Sequence, residues 1–431
     1  MLNETILLSD VGGTNIRFAL YRQGELSPIM NYRTESGKSY TNYIDEFLHD
    51  LGQKDNTWMR PSSAIIGAAG LIENGIVHSK NCPVKINQAE IKAWGFDSVD
   101  IENDFVTQSR SVKSSNVNDF IWSSDEAPSL DGSIMVIGPG TGLGMSVIRE
   151  SHKGRMLPQA AEAGFTSVPL LDGASAEQNQ TIEILRDYMR REHNSRLVYD
   201  QIVSGSGLVR LYYARRHVEY SKQCPQLVFT MPREPNGIEK TYPTKIKKKY
   251  GLRLTAQEIC DMSQNGSRTA KRAVSYFLRY LGRFAADQAN VHLPDKIIFA
   301  GGVMCDPLFQ GKLFNPNGLF MKEYRSARLK GGKQERLMGI CKNRSVAFNG
   351  LVVAAKEKLR KNREDMLLSM TAFNSLIYCA ASFKTPEEYA NHAQTAKQDE
   401  AIYRVCLTSN PIINFCKQSE CFSRTGNTRE V

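Results

Sequence analysis

"LLSDVGGTNIRFAL", residues 7–20, sets an aspartate, Asp10, near the end of an apolar run and follows it with Gly12 and Gly13. Ile6-Leu7-Leu8 and Ile16 to Leu20 read as two short strands, and "GGTN" between them is a hairpin turn signal. In a plain hairpin Asp10 would be a turn residue and nothing more. A second stretch bears on it. "SIMVIGPGTGLGMSVIRE", residues 133–150, repeats the order strand, glycine-rich turn, strand. Two such hairpins facing each other could grip a phosphate chain. Backbone N–H groups of a tight turn form an anion nest, and glycine lets a phosphate come close. The nests would be Gly12-Gly13-Thr14-Asn15 and Gly138 to Gly144. An aspartate beside phosphates is repulsive unless a cation lies between them. Asp10 therefore reads as a holder of Mg²⁺, directly or through water, since Mg²⁺ takes one or two carboxylates and keeps several waters.

The bulk numbers fit this reading. With 431 residues, 41% apolar and 23% charged, the chain suits a soluble globular protein of two domains. No stretch offers the ~18 unbroken apolar residues of a membrane span, and no secretory leader is expected. Nine cysteines without C-x-x-C pairs suit reduced thiols in a cytoplasmic protein. The net charge of +10 is dispersed. Its densest run, "KTYPTKIKKKY" (240–250), reads as a solvated surface loop, with no nucleic-acid reader motif beside it.

Up to about residue 106, strand-like and helix-like segments alternate. "DSVDIENDF" reads as a strand with an unusually polar end, Glu102-Asn103-Asp104. The polar stretch "SRSVKSSNVNDFIWSSDEAPSLDG", 109–132, reads as an insertion or loop. Helices follow over 175–193, 205–220 and 254–291, the last broken near Asn265-Gly266. "DKIIFAGGVM" reads as a strand running into a Gly-Gly turn. "SVAFNGLVVAAKEKLRK" reads as a closing helix. From about Glu364 the character changes, and four of the nine cysteines (Cys379, Cys406, Cys416, Cys421) lie beyond that point.

The phrases "SDVGGTNIRFAL", "IENDF", "IGPGTGLG", "AEAG", "IVSGSGLVRLY", "LTAQEIC" and "FAGGV", in this order, resemble the bacterial-type glucokinases of the sugar kinase/actin/hsp70 ATPase superfamily. The resemblance runs to about residue 356. It implies an α/β, two-domain ribonuclease H-like (actin-like ATPase) fold with a cleft between a small and a large domain. Residues 1–106, with a helix returning near 345–360, would form the small domain. Residues 107–344 would form the large one, and 364–431 an extension of unknown structure. The implied cofactors are ATP and Mg²⁺. Ser9, Asp10, Val11, Gly12, Gly13, Thr14 and Asn15 would meet the nucleotide, as would Gly140, Thr141, Gly142, Gly301 and Gly302. Asp104 would be the general base, and Asn81, Asn103, Asp104, Glu162, Phe165 and Asp200 would line the sugar. The implied reaction converts ATP and D-glucose to ADP and glucose 6-phosphate, feeding glycolysis. The alternatives are a kinase for another hexose or amino sugar, or a weakly active sugar-binding regulator. The partner would be a small-molecule sugar, with neither nucleic acid nor membrane, and a homodimer is a family-level expectation.

The match departs from the family in the sugar pocket. The histidine usual three residues after the sugar glutamate is Phe165. The next glutamate ligand falls on Asp200, one methylene shorter. "SKNCPV" lacks the usual tryptophan after Asn81. The Cys-rich zinc motif and "ExGH" phrase of the related ROK family are absent, so structural zinc is not expected.

Overall fold

The computed structural model describes residues 4–79, 82–124, 128–151, 156–223, 226–329, 336–342 and 346–382. The chain divides into a unit of residues 1–355 and a second of residues 356–431.

The opening hairpin is β1 (Ile6–Val11) and β2 (Asn15–Arg22), followed by the short strands β3 (Glu25–Leu26) and β4 (Met30–Arg33). Helix α1 (Tyr40–Lys54) is started by Ser39, whose hydroxyl accepts from the Asn42 N–H. Its buried Tyr43, Ile44, Phe47 and Leu51 follow the helical period, and Phe47 stacks on Phe18 of β2 at 5.3 Å. Next come β5 (Ser63–Ala68), the small hairpin β6 (Leu71–Glu73) and β7 (Ile76–His78), α2 (Gln88–Ala93) and β8 (Ser98–Asn103). The first sheet has the order β3-β2-β1-β5-β8, with β4 also on β2. β1, β5 and β8 run parallel, in the register Asp10–Gly67–Glu102.

The second sheet repeats this plan. It is built from β9 (Phe120–Trp122), β10 (Ile134–Pro139), β11 (Leu143–Glu150), β12 (Met156–Ala161), β13 (Lys296–Phe299) and β14 (Leu337–Cys341). Its order is β12-β11-β10-β13-β14-β9. Again an antiparallel hairpin is extended by two parallel strands. Both faces of β10 are buried, as suits a strand covered on both sides. Met135 and Ile137 face a large helical core, while Ile134 and Val136 face Val112. That core draws on α4 (Ala176–His193), α5 (Gly205–Ser221), α7 (Ala256–Gln264), α8 (Arg268–His292), α9 (Pro307–Leu313) and α10 (Leu319–Ala327), while α6 (Thr244–Lys249) contributes no residue to it. The break between α7 and α8 falls at Gly266, whose φ of +94° ends a helix at little cost.

The polar stretch after Asp104 is not all loop. Helix α3 (Asp104–Ser114) occupies its start, and β9 pairs with β14. Thr107, Ser109 and Ser111 are buried in α3. The Thr107 and Ser109 hydroxyls donate to the carbonyls of Asp104 and Val106, so burial leaves them satisfied. Their small size admits close neighbours. A Cβ on Gly350 of α11 (Val346–Ser382) would lie 1.7 Å from the Thr107 carbonyl oxygen. The basic run is also more ordered than a solvated loop. α6 forms within it, and Lys247 is buried against Glu258 at 3.1 Å. The tail expected to differ from the rest lies outside the described residues from 383 onward. Among the described residues, no helix is long and apolar enough to cross a membrane.

Candidate active site

The C-terminal ends of the parallel strands β1, β5 and β8 bring two carboxylates together. Asp10 is the penultimate residue of β1. In the hairpin register it stands opposite Arg17, whose guanidinium donates to Oδ2 at 3.1 Å. Burial raises the Asp10 pKa, and Arg17 offsets part of that rise. Asp104 follows β8 directly and is the first residue of α3. Asn103 caps the helix, its side-chain oxygen accepting from the Phe105 N–H at 2.8 Å. The Asn103 amide donates to the Gly70 carbonyl at 3.0 Å, which fixes the cap to the neighbouring turn. Burial pushes the Asp104 carboxyl up to about 7, helped by the charges of Asp10 and Glu162 and opposed by the Phe105 N–H. A group that titrates near neutrality, with a second carboxylate beside it, suits proton transfer.

The second glycine hairpin joins β10 to β11 and is braced from several sides. Asp200, in a short 3₁₀ turn, accepts from the Leu143 N–H at 2.7 Å. Its carboxylate lies so near Gly142 that a Cβ there would meet Oδ1 at 2.5 Å. The Gly205 N–H, at the start of α5, donates to the Gly140 carbonyl at 2.8 Å. Gly301 takes φ +91°, and a Cβ on it would strike the Pro139 carbonyl oxygen at 2.7 Å. So the "VSGSGL" and "FAGGV" phrases meet at this hairpin. Glu162 follows β12. Its carboxyl is raised by burial and by the charge of Asp200.

The ring of Phe105 fills a slot that sequence reasoning did not anticipate. Gly138 and Gly144 are direct partners across β10 and β11. A Cβ on Gly138 would lie 2.5 Å from this ring, and one on Gly144 would lie 1.8 Å from it. Arg17 was missed as well, although it falls opposite Asp10 once residues are counted outward from the turn. Arg210, which bonds the Ser206 hydroxyl at 3.0 Å and whose charge is felt by Asp200, lies within the phrase "IVSGSGLVRLY" but was not singled out.

The remaining expected residues fall as follows. Ser9 and Val11 are buried in the first sheet, so backbone is what they could offer a ligand. The Gly13 carbonyl accepts from the Thr34 hydroxyl at 2.9 Å, and the Thr14 carbonyl from the Thr34 N–H at 3.0 Å. Asn15 and the half-buried Gly12 complete that turn, and Thr141 is exposed in the other. The Phe165 side chain is 43% exposed, and its carbonyl accepts from Arg196. Asn81 lies outside the described residues.

Some glycines leave room that the protein does not use. A Cβ on Gly12 would find its nearest contact at 3.5 Å and one on Gly140 at 3.9 Å, while one on Gly302 would meet nothing within 4 Å. A methyl group at any of the three would displace no protein atom. Among the described residues no cluster of three or more His, Cys, Asp or Glu could hold a metal by itself. The buried Asp10 carboxylate, paired with Arg17 through Oδ2 and set just before a glycine turn, fits Mg²⁺ held through water, since that ion takes one or two carboxylates and keeps several waters.

The duplicated sheet plan, with carboxylates gathered between two glycine hairpins, defines a two-domain α/β fold of the actin-like ATPase class. The sequence profile of the family described as Glucokinase matches residues 7–357, and the chain belongs to that family. A glucokinase of Caulobacter vibrioides is 28% identical over 303 residues, covering 69% of this chain and 80% of the relative. The glucokinase of Balamuthia mandrillaris, solved in complex with glucose, superposes with a TM-score of 0.63 at 18% identity. That match covers 82% of this chain and 94% of the other. A ROK family glucokinase from Streptomyces griseus, solved with glucose and AMPPNP, gives 0.50 at 18% identity, over 82% and 99%.

The raised carboxyl gives a pH prediction. If Asp104 acts as a base it must be ionised, so kcat/KM should fall as pH drops through about 7 and level off above it. A profile flat from pH 6 to 9 would separate Asp104 from proton transfer.

Proposed function

We propose that this chain is an ATP-dependent hexose kinase that converts ATP and D-glucose to ADP and glucose 6-phosphate. The observation that carries the reading is the place of Asp104, directly after β8, next to Asp10 and one residue before the Phe105 ring that sits on Gly138 and Gly144 of the second glycine hairpin; burial there raises its carboxyl. In this reading Asp104 takes the proton of the sugar hydroxyl as the phosphoryl group arrives. The N–H groups of the two turns hold the phosphate chain, and the Gly301-Gly302 turn lies under the adenosine. Mg²⁺, held by Asp10 through water, would supply charge neutralisation at the transferred phosphoryl. Asn103, Glu162 and Asp200 would face sugar hydroxyls. Residues 1–106 with the start of α11 would act as one domain and 107–344 as the other. Closing on the sugar would exclude water and limit idle ATP hydrolysis. Cytoplasmic location, a place at the entry of glycolysis and a homodimer complete the proposal. The direct test is ADP release over a panel of hexoses and amino sugars at fixed ATP. Release that no sugar stimulates would sink it.

A kinase for a different sugar is the second reading, favoured by the exposed ring of Phe165. If that position faces the sugar, Phe165→His should tighten glucose binding by about 1 kcal/mol, the worth of one hydrogen bond, and leave ATP affinity unchanged. Constants unchanged for every sugar would mean that Phe165 faces away from the substrate.

The ordinary contact distance at Gly12, 3.5 Å from a Cβ to the Asn15 carbonyl oxygen, sets a further expectation. Gly12→Ala should leave the denaturation midpoint nearly unchanged, because the protein has room for the methyl group. The KM for ATP should rise roughly tenfold, corresponding to about 1.4 kcal/mol of lost binding. A rise in the sugar KM alone would mean the two sites have been exchanged.

A further inference from the structure

Asp104 and Phe105 are consecutive residues in the first turn of α3, which leaves the first sheet at β8 and lies on the second. Asn103 fixes that turn from one side through the Gly70 carbonyl. The Phe105 ring fixes it from the other, seated on two cross-strand glycines of the second sheet. The same two strands carry the turn Gly140-Thr141-Gly142. Few residues therefore separate the carboxylate from the ring on one side, or the ring's seat from the turn on the other. A side chain at Gly138 or Gly144 would evict the ring, which gives these glycines a packing reason distinct from phosphate approach.

We propose that Phe105 is a positioning residue for the kinase reaction: its ring, lodged on Gly138 and Gly144, sets the working distance between the base Asp104 and the phosphate-holding turn. This rests on the kinase reading of the site. Reaction requires the attacking oxygen to sit about 3–3.5 Å from phosphorus, and a misplacement of about 1 Å can cost ~10²-fold in rate. A ring seated on backbone is a stiff spacer, because neither glycine has a side chain that could yield. Phe105 itself touches no reacting atom in this scheme.

The experiment compares Phe105→Ala, Phe105→Leu, Gly144→Ala and the double variant Phe105→Leu/Gly144→Ala in the full chain. Steady-state kinetics and thermal denaturation are measured for each. Phe105→Ala should lose ~10–100-fold in kcat, with both KM values within about threefold of wild type. Phe105→Leu should lie between, and it keeps the test open if the alanine variant does not fold. Gly144→Ala should be damaged in both kcat and melting temperature. Adding Phe105→Leu should recover part of both, because the smaller side chain vacates the space the new methyl group needs. Wild-type turnover carries the kinase reading, and the ratio of variant to wild type carries this one. The melting half of the cycle reads the ring–glycine contact without any activity. A folded Phe105→Ala with kcat within threefold of wild type would overturn the proposal. So would a fall in kcat that only tracks the folded fraction, or a Gly144→Ala defect equally severe in both backgrounds.

Discussion

Asp104→Asn will lower turnover by ~10²–10⁴-fold, the usual worth of a positioned general base, while nucleotide binding persists. The amide keeps the shape of the carboxyl and cannot take a proton. The same substitution has an opposite effect on stability. The Asp104 pKa is raised in the folded state, so its contribution to stability is full below its unfolded value near 4 and is lost as pH rises through about 7. Above pH 7 the ligand-free asparagine variant should therefore be the more stable protein. At pH 4 the two should converge. Denaturation at pH 4.5 and 8.5, alongside kinetics, checks both halves. Turnover within twofold of wild type would remove Asp104 from the chemistry. A variant less stable than wild type at pH 8.5 would mean the carboxylate is held by favourable contacts instead.

Gly350→Ala will destabilise the protein, against the usual effect of that substitution in a helix. Helix propensity alone favours alanine by about 1 kcal/mol. Here the new Cβ would lie 1.7 Å from the Thr107 carbonyl oxygen and 2.5 Å from its carbon, both backbone atoms that cannot rotate away. The helices must separate, and overpacking of this kind costs ~1–3 kcal/mol or more. Because Thr107 is three residues beyond Asp104 in α3, kcat should fall as well. A denaturant midpoint higher than wild type would show that α11 has freedom to move at this crossing.

The two hairpins were legible because turn chemistry and strand alternation are local. Asp10 could be singled out only because the second glycine hairpin accompanies it, since alone it reads as a turn residue. Arg17 was within reach by register counting. Helix α3 was not. Its serines and threonines look like loop composition, and only the packing of β5, α11 and the second sheet around them explains why a buried helix carries hydroxyls. Glycines posed the harder problem. Gly12 and Gly140 would accept a methyl group at ordinary contact distance, whereas Gly138 and Gly144 make room for Phe105, Gly142 for Asp200 and Gly301 for Pro139. A single strand of sequence shows them all as one glycine-rich pattern. Lys247 makes the same point in reverse, a lysine within a basic run that turns inward onto Glu258.

The central claim is that the site transfers a phosphoryl group from ATP to a sugar hydroxyl. The most direct measurement is phosphorus NMR of the product mixture from ATP, Mg²⁺ and D-glucose, with ADP counted in parallel. The account predicts a sugar phosphate ester on the C6 oxygen, one per ADP, and its near disappearance with Asp104→Asn. ADP accompanied by inorganic phosphate with no sugar ester would contradict it.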